Sequence, residues 1–532
     1  MNAQTAIKLK FLVPADARAG VAAELARAKA SLDRTSLTAM YLDTADGRLA
    51  RAGLSWRLRR EGRRWIQTLS AAAGTAVQRL HEQIRPDASP DASAHAGTPL
   101  GDELAAVLRR AGAHGLAPEV RFRTELRRMA RRTRSRGALV AVAFDEGRIT
   151  SADAGVGERI PESEFELLSG SLAAMLALAE RWRKRFGLLH EPRSVAERGT
   201  RLAEGLPSPP VRKAGRPAYT REAPATEAYG QVLDECLAQI TLNAAGLTAG
   251  DAALRVDHVH QLRVGIRRLR TALRLFEGWV PAAPDEFVAG LRALFATLGT
   301  ARDNDVLGSG VAVELAAAGA PPMPRPPAAE GVDPADAVRA AETQRTLLAW
   351  IGWRAALLPA ARAAEPSPAP GVEHAQDASA QTPAAAGGEP TSVAAAPSPD
   401  VDAPSFHRHL ARRLRRWHAR IAADWKSFDE LGEEGLHALR KRIKRQRYAL
   451  EFAAPLLRRR QLDRYLDHLA SVQERMGALN DLFVARTRFQ ELAENDPATW
   501  FALGWLAARI AEMRASIKPA LARLARSDPP AP

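Results

Sequence analysis

The sequence predicts an α+β chain in two halves: an N-terminal region built on an antiparallel β-sheet, and a C-terminal region that is all helical and internally duplicated. Three observations lead there. Up to about residue 200, short apolar stretches alternate with polar positions and are broken by turn residues. After Thr226 the apolar period lengthens to that of a helix and stays so almost to the end. Within this second half, one pattern of His and cationic residues occurs twice.

In the first region, Ile7 to Val13 alternates, Ser55 to Leu58 and Trp65 to Leu69 read as strands, and Ala138 to Phe144 is an apolar run expected to stop at Asp145, Glu146 and Gly147. A helix is expected from about Gly101 to Arg110, and another from about Leu172 to Phe186. Pro207 to Pro217 is Pro-rich with scattered basic residues, the composition of a linker. The organisation expected is a first domain over 1–205, a linker over 206–224 and a helical domain over 225–526.

The helical half has two interruptions. Ala316 to Pro334 and Glu365 to Ser405 consist largely of Ala, Pro, Gly, Ser and Asp, bury little, and are expected to be flexible. Between them Leu347, Leu348, Trp350, Ile351, Trp353, Leu357 and Leu358 give the Ala335–Arg362 segment enough apolar surface to dock on a neighbour. The second interruption separates a repeat over 225–363 from one over 406–526.

At 532 residues the chain is too long for one core. Its formal net charge of +15 points to an anionic partner. Cys236 is the single cysteine, so an intramolecular disulfide is excluded and a Cys-rich zinc site lacks ligands. No stretch reaches the roughly 18 apolar residues of a membrane span, and the first ten residues lack the apolar core of a signal peptide. A cytoplasmic protein that does not enter membranes is expected.

The repeat carries the chemistry. His260, Arg263, Arg267 and Arg270 in the first copy, and His437, Arg440, Lys444 and Arg447 in the second, both fall at i, i+3, i+7 and i+10. On a helix these offsets lie within an arc of about 80°, and Arg274 continues the first stripe. Leu262, Ile266, Leu269 and Leu273, like Leu439, Ile443 and Leu450, take an adjacent apolar face, so each helix can pack while presenting cations. Asp303 follows His260 by 43 residues and Asp481 follows His437 by 44. Arg offers paired donors that match phosphate oxygens and keeps its charge when partly desolvated, whereas Lys acts as a point charge. Cations one or two turns apart, about 5 to 11 Å, can follow a phosphate polymer. Arg408, Arg412, Arg413, Arg415, Arg416 and Arg420 offer an extension. Few aromatic residues punctuate the stripes and no base-reading motif is visible, so nucleic acid is expected to bind only weakly and without specificity.

The blocks HQLRVGIRRLR (260–270), LGTARD (298–303), HALRKRIKRQRY (437–448) and GALND (477–481) resemble the signature of the CHAD domain, over roughly residues 225–526. The resemblance implies two four-helix repeats whose basic central surface binds inorganic polyphosphate. The long Ala/Pro insertion between the repeats departs from the family and leaves both stripes whole.

The N-terminal region resembles a CYTH domain, the β-tunnel fold of the triphosphate tunnel metalloenzymes. YLDT (41–44), LSWRLRR (54–60), WIQTL (65–69), DEG (145–147), ESEFE (162–166) and SVAERG (194–199) carry this resemblance. It implies inward Lys10, Arg57, Arg59, Arg121 and Arg123 holding a triphosphate or tripolyphosphate, and Glu162, Glu164 and Glu166 holding Mg²⁺ or Mn²⁺. The family begins with a Glu-x-Glu-x-Lys strand, whereas this chain reads AIKLK over 6–10, with Ala6 and Lys8 in place of the carboxylates. The family strand ending Thr-Leu-Lys ends in Ser70 here. Loss of two oxygen ligands and gain of an ammonium should weaken divalent binding. The expectation is a polyphosphate-binding protein with a weak or inactive triphosphatase tunnel; the rivals are a working Mg²⁺-dependent triphosphatase and a general nucleic-acid binder.

Overall fold

A computed structural model of the chain describes residues 4–27, 32–72, 77–152, 155–206, 209–250, 252–306, 311–323, 330–357, 402–494 and 496–531, with the side chains of 4, 5, 77, 249, 301–306 and 312 outside that description. The expected flexible insertion therefore lies outside it up to residue 401, as do Leu358 and the side chains of Arg302 and Asp303.

The first half is a closed barrel. Its strands are β1 (Gln4–Leu12), β2 (Leu32–Thr44), β3 (Leu54–Glu61), β4 (Arg64–Ala72), β5 (Val77–Arg85), β6 (Pro118–Ser135), β7 (Ala138–Ser151), β8 (Gly157–Ser169) and β9 (Leu189–His190). They pair in the order β5-β4-β3-β2-β6-β7-β8-β1-β9, and β5 also pairs with β1, which closes the ring. Alternation decides what faces where. Ile7, Leu9 and Phe11 of β1 pack outward with Val140, Val142 and Phe144, leaving Ala6, Lys8 and Lys10 inside. β7 does not stop at Asp145 as the apolar run suggested: Asp145 pairs with Glu162 across the strands and the ladder continues to Thr150.

Helices cover the barrel. Those in this half are α1 (Arg18–Ala26), α2 (Arg48–Arg51), α3 (Pro99–Gly112), α4 (Leu172–Phe186) and α5 (Val195–Ala203). Asp43 of the YLDT block holds the start of α2, accepting from the amides of Leu49 and Ala50. A capping box between Ser194 and Glu197 starts α5. This helix packs into one barrel end, where Tyr41 stacks on Phe122 at 4.4 Å. Gly199 sits so close to the Phe122 ring that a Cβ would meet it at 2.1 Å.

The second half is all helical: α6 (Ala225–Ala249), α7 (Arg255–Phe276), α8 (Asp285–Val306), α9 (Ala312–Ala317), α10 (Pro334–Arg339), α11 (Ala341–Ala356), α12 (Ala403–Lys426), α13 (Glu433–Ala453), α14 (Arg459–Ala493) and α15 (Thr499–Ala525). One apolar core runs through both repeats, from Tyr219 to Leu524, with Leu262, Ile266, Leu269, Leu439, Ile443 and Leu450 fully buried in it. The described part of the segment before α6, from 209 on, has no helix or strand but is held down: Asn243 donates to the Arg212 carbonyl, Arg268 to the Gly215 carbonyl, and the Tyr219 hydroxyl to the Phe452 carbonyl. Of the first predicted flexible stretch, Ala316 and Ala317 end α9 and Pro334 opens α10, while 324–329 lie outside the described residues.

The two halves are wedged together by α11. Its Leu347 and Trp350 enter the helical core, whereas Leu348, Ile351 and Ala355 enter the apolar cluster under α4. Gly352 permits this approach, since a Cβ there would meet Leu176 at 2.4 Å. Gln344 fixes the register, accepting from the His190 amide of β9 at 2.8 Å and donating to Val338 at 2.9 Å.

Candidate functional site

The barrel interior is built by the strand register. Residues directly opposite in adjacent strands share a face. The chain Lys8↔Glu166, Lys10↔Glu164, Ala143↔Glu164, Asp145↔Glu162 and Arg128↔Asp145 runs round one side. Tyr41↔Arg57, Arg57↔Thr68 and Thr68↔Glu82 continue it on the other. Lys10, Arg57 and Arg59 therefore face inward as the sequence predicts. Arg123 does not: the β6 residues opposite the inward side of β2 and β7 are Phe122, Thr124, Leu126 and Arg128. Arg123 is exposed, a correction to the expected inward position, while Arg121 falls at the β-bulge, where alternation assigns no face, and bonds Glu119 at 2.6 Å. Arg128 is the inward cation, gripping both Asp145 oxygens at 2.8 and 2.7 Å and lying 3.9 Å from Glu164.

Glu162, Glu164 and Glu166 share the inner face of β8, and each meets a cation. Lys8 lies 3.5 Å from Glu164 and 3.2 Å from Glu166. Glu162 is met by Lys10 at 3.7 Å and by Arg198, which α5 delivers into the barrel and which also bonds Glu158 at 2.7 Å. Burial pushes the Glu164 carboxyl up, but Lys8, followed by Arg128, Lys10 and Arg57, outweighs it and holds it at about 2. Arg59 is lowered from the ordinary Arg range by burial and then by Arg57 beside it. Among the described residues no group of three or more His, Cys, Asp or Glu side chains is set to hold a metal. Arg198 was visible in the sequence only as part of the SVAERG block, with nothing to show that it points into the barrel.

The second site lies where α7 meets α13. Arg268, fully buried, fastens the two helices: it donates to Gln239 at 3.1 Å and to Gly215 at 3.0 Å, lies 3.8 Å from Glu451, and stacks over Phe452 of α13. The stripes are thereby brought face to face. Arg263 donates to the Phe295 carbonyl at 2.8 Å, and both it and Arg267 lie over the Phe295 ring. Burial, then Arg440 and Arg267, push the Lys444 ammonium down to about 6, with Arg263 adding to them and Asp481 opposing. Arg440 is lowered by burial and Arg267, again against Asp481. Arg263, Arg267, Arg440 and Lys444 are thus one cluster drawn from both repeats.

The remaining stripe residues divide. Arg270, lowered by burial and by Arg274 and Arg292, prolongs the cluster on the first repeat. Arg447, its counterpart, is half-exposed and bonds Glu451 one turn on at 2.9 Å. His260 is half-buried on α7. His437 lies largely in solvent at the rim of the helix pair and bonds Asn480 of the GALND block; partial desolvation there, followed by Lys441, lowers it. It borders a cavity of about 510 Å³ with Arg440 and Asn480. Of the flanking Arg residues, Arg413 is structural, capping the end of α7 through the carbonyls of Arg274, Leu275 and Glu277.

Comparison with known proteins agrees with this division. The CYTH domain family matches residues 5–200 and the CHAD domain family residues 231–490. A CHAD domain structure from the plant Ricinus communis is 28% identical, covering 60% of this chain and 99% of that one with a TM-score of 0.40. A putative adenylate cyclase from Bacillus halodurans is 15% identical over 36% of this chain and 96% of that one, with a TM-score of 0.26. A putative adenylyl cyclase from Hippeastrum, described as having a dominant triphosphatase activity, is 19% identical over 38% of this chain and 96% of that one, also with a TM-score of 0.26. No described helix is long and apolar enough to cross a membrane. The closed β-barrel, residues 5–200, thus belongs to the CYTH domain family, and it is fused to an all-helical region whose residues 231–490 belong to the CHAD domain family.

Proposed function

We propose that the chain binds inorganic polyphosphate at the cluster formed by Arg263, Arg267, Arg440 and Lys444, in the cytoplasm and in contact with polyphosphate granules. The supporting observation is the compression of like charge at Lys444, whose neighbours include three guanidinium groups against one carboxylate. Such crowding lowers the stability of the free fold, and a polyanion relieves it. Polyphosphate suits the site because the ligand needs only charge and spacing, with no base to stack or read.

In the barrel the reading is anion uptake with hydrolysis weak or absent. The carboxylates that family resemblance assigns to Mg²⁺ or Mn²⁺ do not fit a divalent ion as they stand, because Lys8 spans Glu164 and Glu166 while Lys10 and Arg198 take Glu162. A hard cation needs those oxygens free. The enzyme alternative draws on Glu164, which stays ionised at any physiological pH and is available to a metal able to displace Lys8.

The test is retention of the full chain on a polyphosphate matrix at near-physiological salt, with tripolyphosphate and duplex DNA as competitors. Replacing Arg263, Arg267, Arg440 and Lys444 together by Ala should abolish retention while circular dichroism stays unchanged. Undiminished retention overturns the assignment, and better competition by duplex DNA favours the nucleic-acid reading.

A further inference from the structure

The repeats are not symmetric in charge. Their first helices, α6 and α12, occupy matching places, yet α6 contains no Lys or Arg while α12 carries Arg408, Arg412, Arg413, Arg415, Arg416, Arg420 and Lys426. All but Arg413 are exposed, and they fall within an arc of about 140°. Opposite them Phe406, Leu410, Leu414 and Ile421 are buried. The one acidic residue inside the helix, Asp424, is taken by Arg442 at 2.5 Å. From Arg408 to Lys426 the ridge runs about 27 Å.

This ridge is continuous with the cluster. Arg413 ties α12 to the last turn of α7, donating to the Arg274 carbonyl at 3.0 Å and lying over the Trp279 ring at 4.2 Å. On the other side Arg445 of α13 stacks over Trp417 of α12 at 5.2 Å. Burial, then Arg274, Arg420 and Arg442, lower Arg445, so the end of the α7 stripe and the middle of α12 converge on it. Cationic surface therefore passes from Arg270 through Arg274 and Arg445 to Arg420, and out along α12.

We infer that α12 is a second anion subsite, an exit track over which a long polyphosphate chain held at the central cluster continues across Arg274, Arg445 and Arg420 onto Arg416, Arg415 and Arg412. This rests on the polyphosphate reading of the cluster and adds to it a preference for chain length. Charge complementarity and continuity select a flexible single-file polyanion: the ridge is one helix wide and convex. A short anion fills the central cluster and never reaches α12.

The full chain with Arg412, Arg415 and Arg416 changed to Ala tests this against long-chain polyphosphate, tripolyphosphate and duplex DNA across a salt series. All three positions are on the solvent face, so the fold is retained. Long-chain affinity should fall by ~10-fold or more and its log–log salt slope by about 2, as expected for three lost phosphate contacts on a single-stranded polyanion. Tripolyphosphate binding should be unchanged. Equal loss for short and long chains, or no loss for either, overturns the track while leaving the central cluster standing. Loss of duplex DNA with long-chain binding intact overturns it in favour of a nucleic-acid surface. If the unmodified chain retains no polyphosphate of any length, the reading of the cluster fails and the track with it.

Discussion

The Lys8 ammonium lies 3.5 Å from a Glu164 oxygen inside the barrel, on the strand and face where resemblance to the family leads one to expect a carboxylate. Lys8 also reaches Glu166 at 3.2 Å, so a single side chain supplies a cation to two oxygen donors. Charge balance that a bound divalent ion would provide is thus built into the chain. A phosphate entering the barrel meets Lys8, Lys10, Arg57, Arg59 and Arg128 already partnered by carboxylates, and must compete for them. That competition favours a long polyanion, which gains many contacts, over a single phosphate.

Arg268 should be a stability residue for the helical half. It is fully buried, and removing it leaves the Gln239 side-chain oxygen and the Gly215 carbonyl without a donor and Glu451 without its buried partner. Arg268→Met should lower stability by about 3 kcal/mol. Thermal unfolding followed by circular dichroism checks it, and an unchanged melting temperature would show that the clamp contributes nothing.

Binding at the central cluster should take up a proton. Free Lys444 titrates at about 6, because burial and its cationic neighbours disfavour the ammonium. A bound polyanion reverses that, so above pH 6 and up to the ordinary lysine range binding draws a proton from solvent. Affinity then rises as pH falls through this window and levels off below about 6. Stability without anion runs the other way: the unfolded chain holds more protons at this position, so unfolding free energy increases with pH across the same window. Calorimetry at pH 8 in buffers of different ionisation enthalpy measures the uptake. Equal uptake by a Lys444→Met variant would assign the proton elsewhere.

The wedge helix α11 should hold the two domains as one unfolding unit. Leu348 and Ile351 are buried in the barrel-side cluster, and an Asp at either must desolvate a charge against α4. The double change to Asp should split a single calorimetric transition into two, one for each domain. Both domains unfolding together in the variant would mean that α11 is not what couples them.

How much of this could be read in the sequence follows from which periodicities are local. The α7 and α13 stripes were legible because a helix fixes its own faces: four residues at i, i+3, i+7 and i+10 share a side whatever surrounds them. On β6 the run of Arg from 121 to 134 occupies both parities, and only pairing with β2 and β7, irregular between Tyr41 and Leu42, decides that Arg128 points inward. The apolar surface of α11 was legible, but not that it serves two cores at once. The ion pair of Arg447 had a visible signal, Glu451 four residues on. The ionic role of Arg198 had none, since a buried cation entering a barrel from a covering helix leaves no local pattern.

Restoring carboxylates to the first strand should convert the barrel toward metal-dependent hydrolysis. Register is the premise: Lys8 opposes Glu166 and Lys10 opposes Glu164, while Ile7, Leu9 and Phe11 pack outside, so Ala6 and Lys8 both face the interior. Changing Ala6 and Lys8 to Glu adds two oxygen donors and removes the ammonium that bridges Glu164 and Glu166. A hard divalent cation then finds free carboxylates on two neighbouring strands. Without added metal the same change crowds negative charge, so the variant should be less stable than the unmodified chain in chelator and regain stability as Mg²⁺ or Mn²⁺ is added. Phosphate release from tripolyphosphate should be low in the unmodified chain and rise with metal concentration in the variant. A further Glu164→Gln change should abolish the gain. Metal-dependent turnover by the unmodified protein, lost on Glu164→Gln alone, would overturn this reading and show that a divalent ion displaces Lys8 unaided.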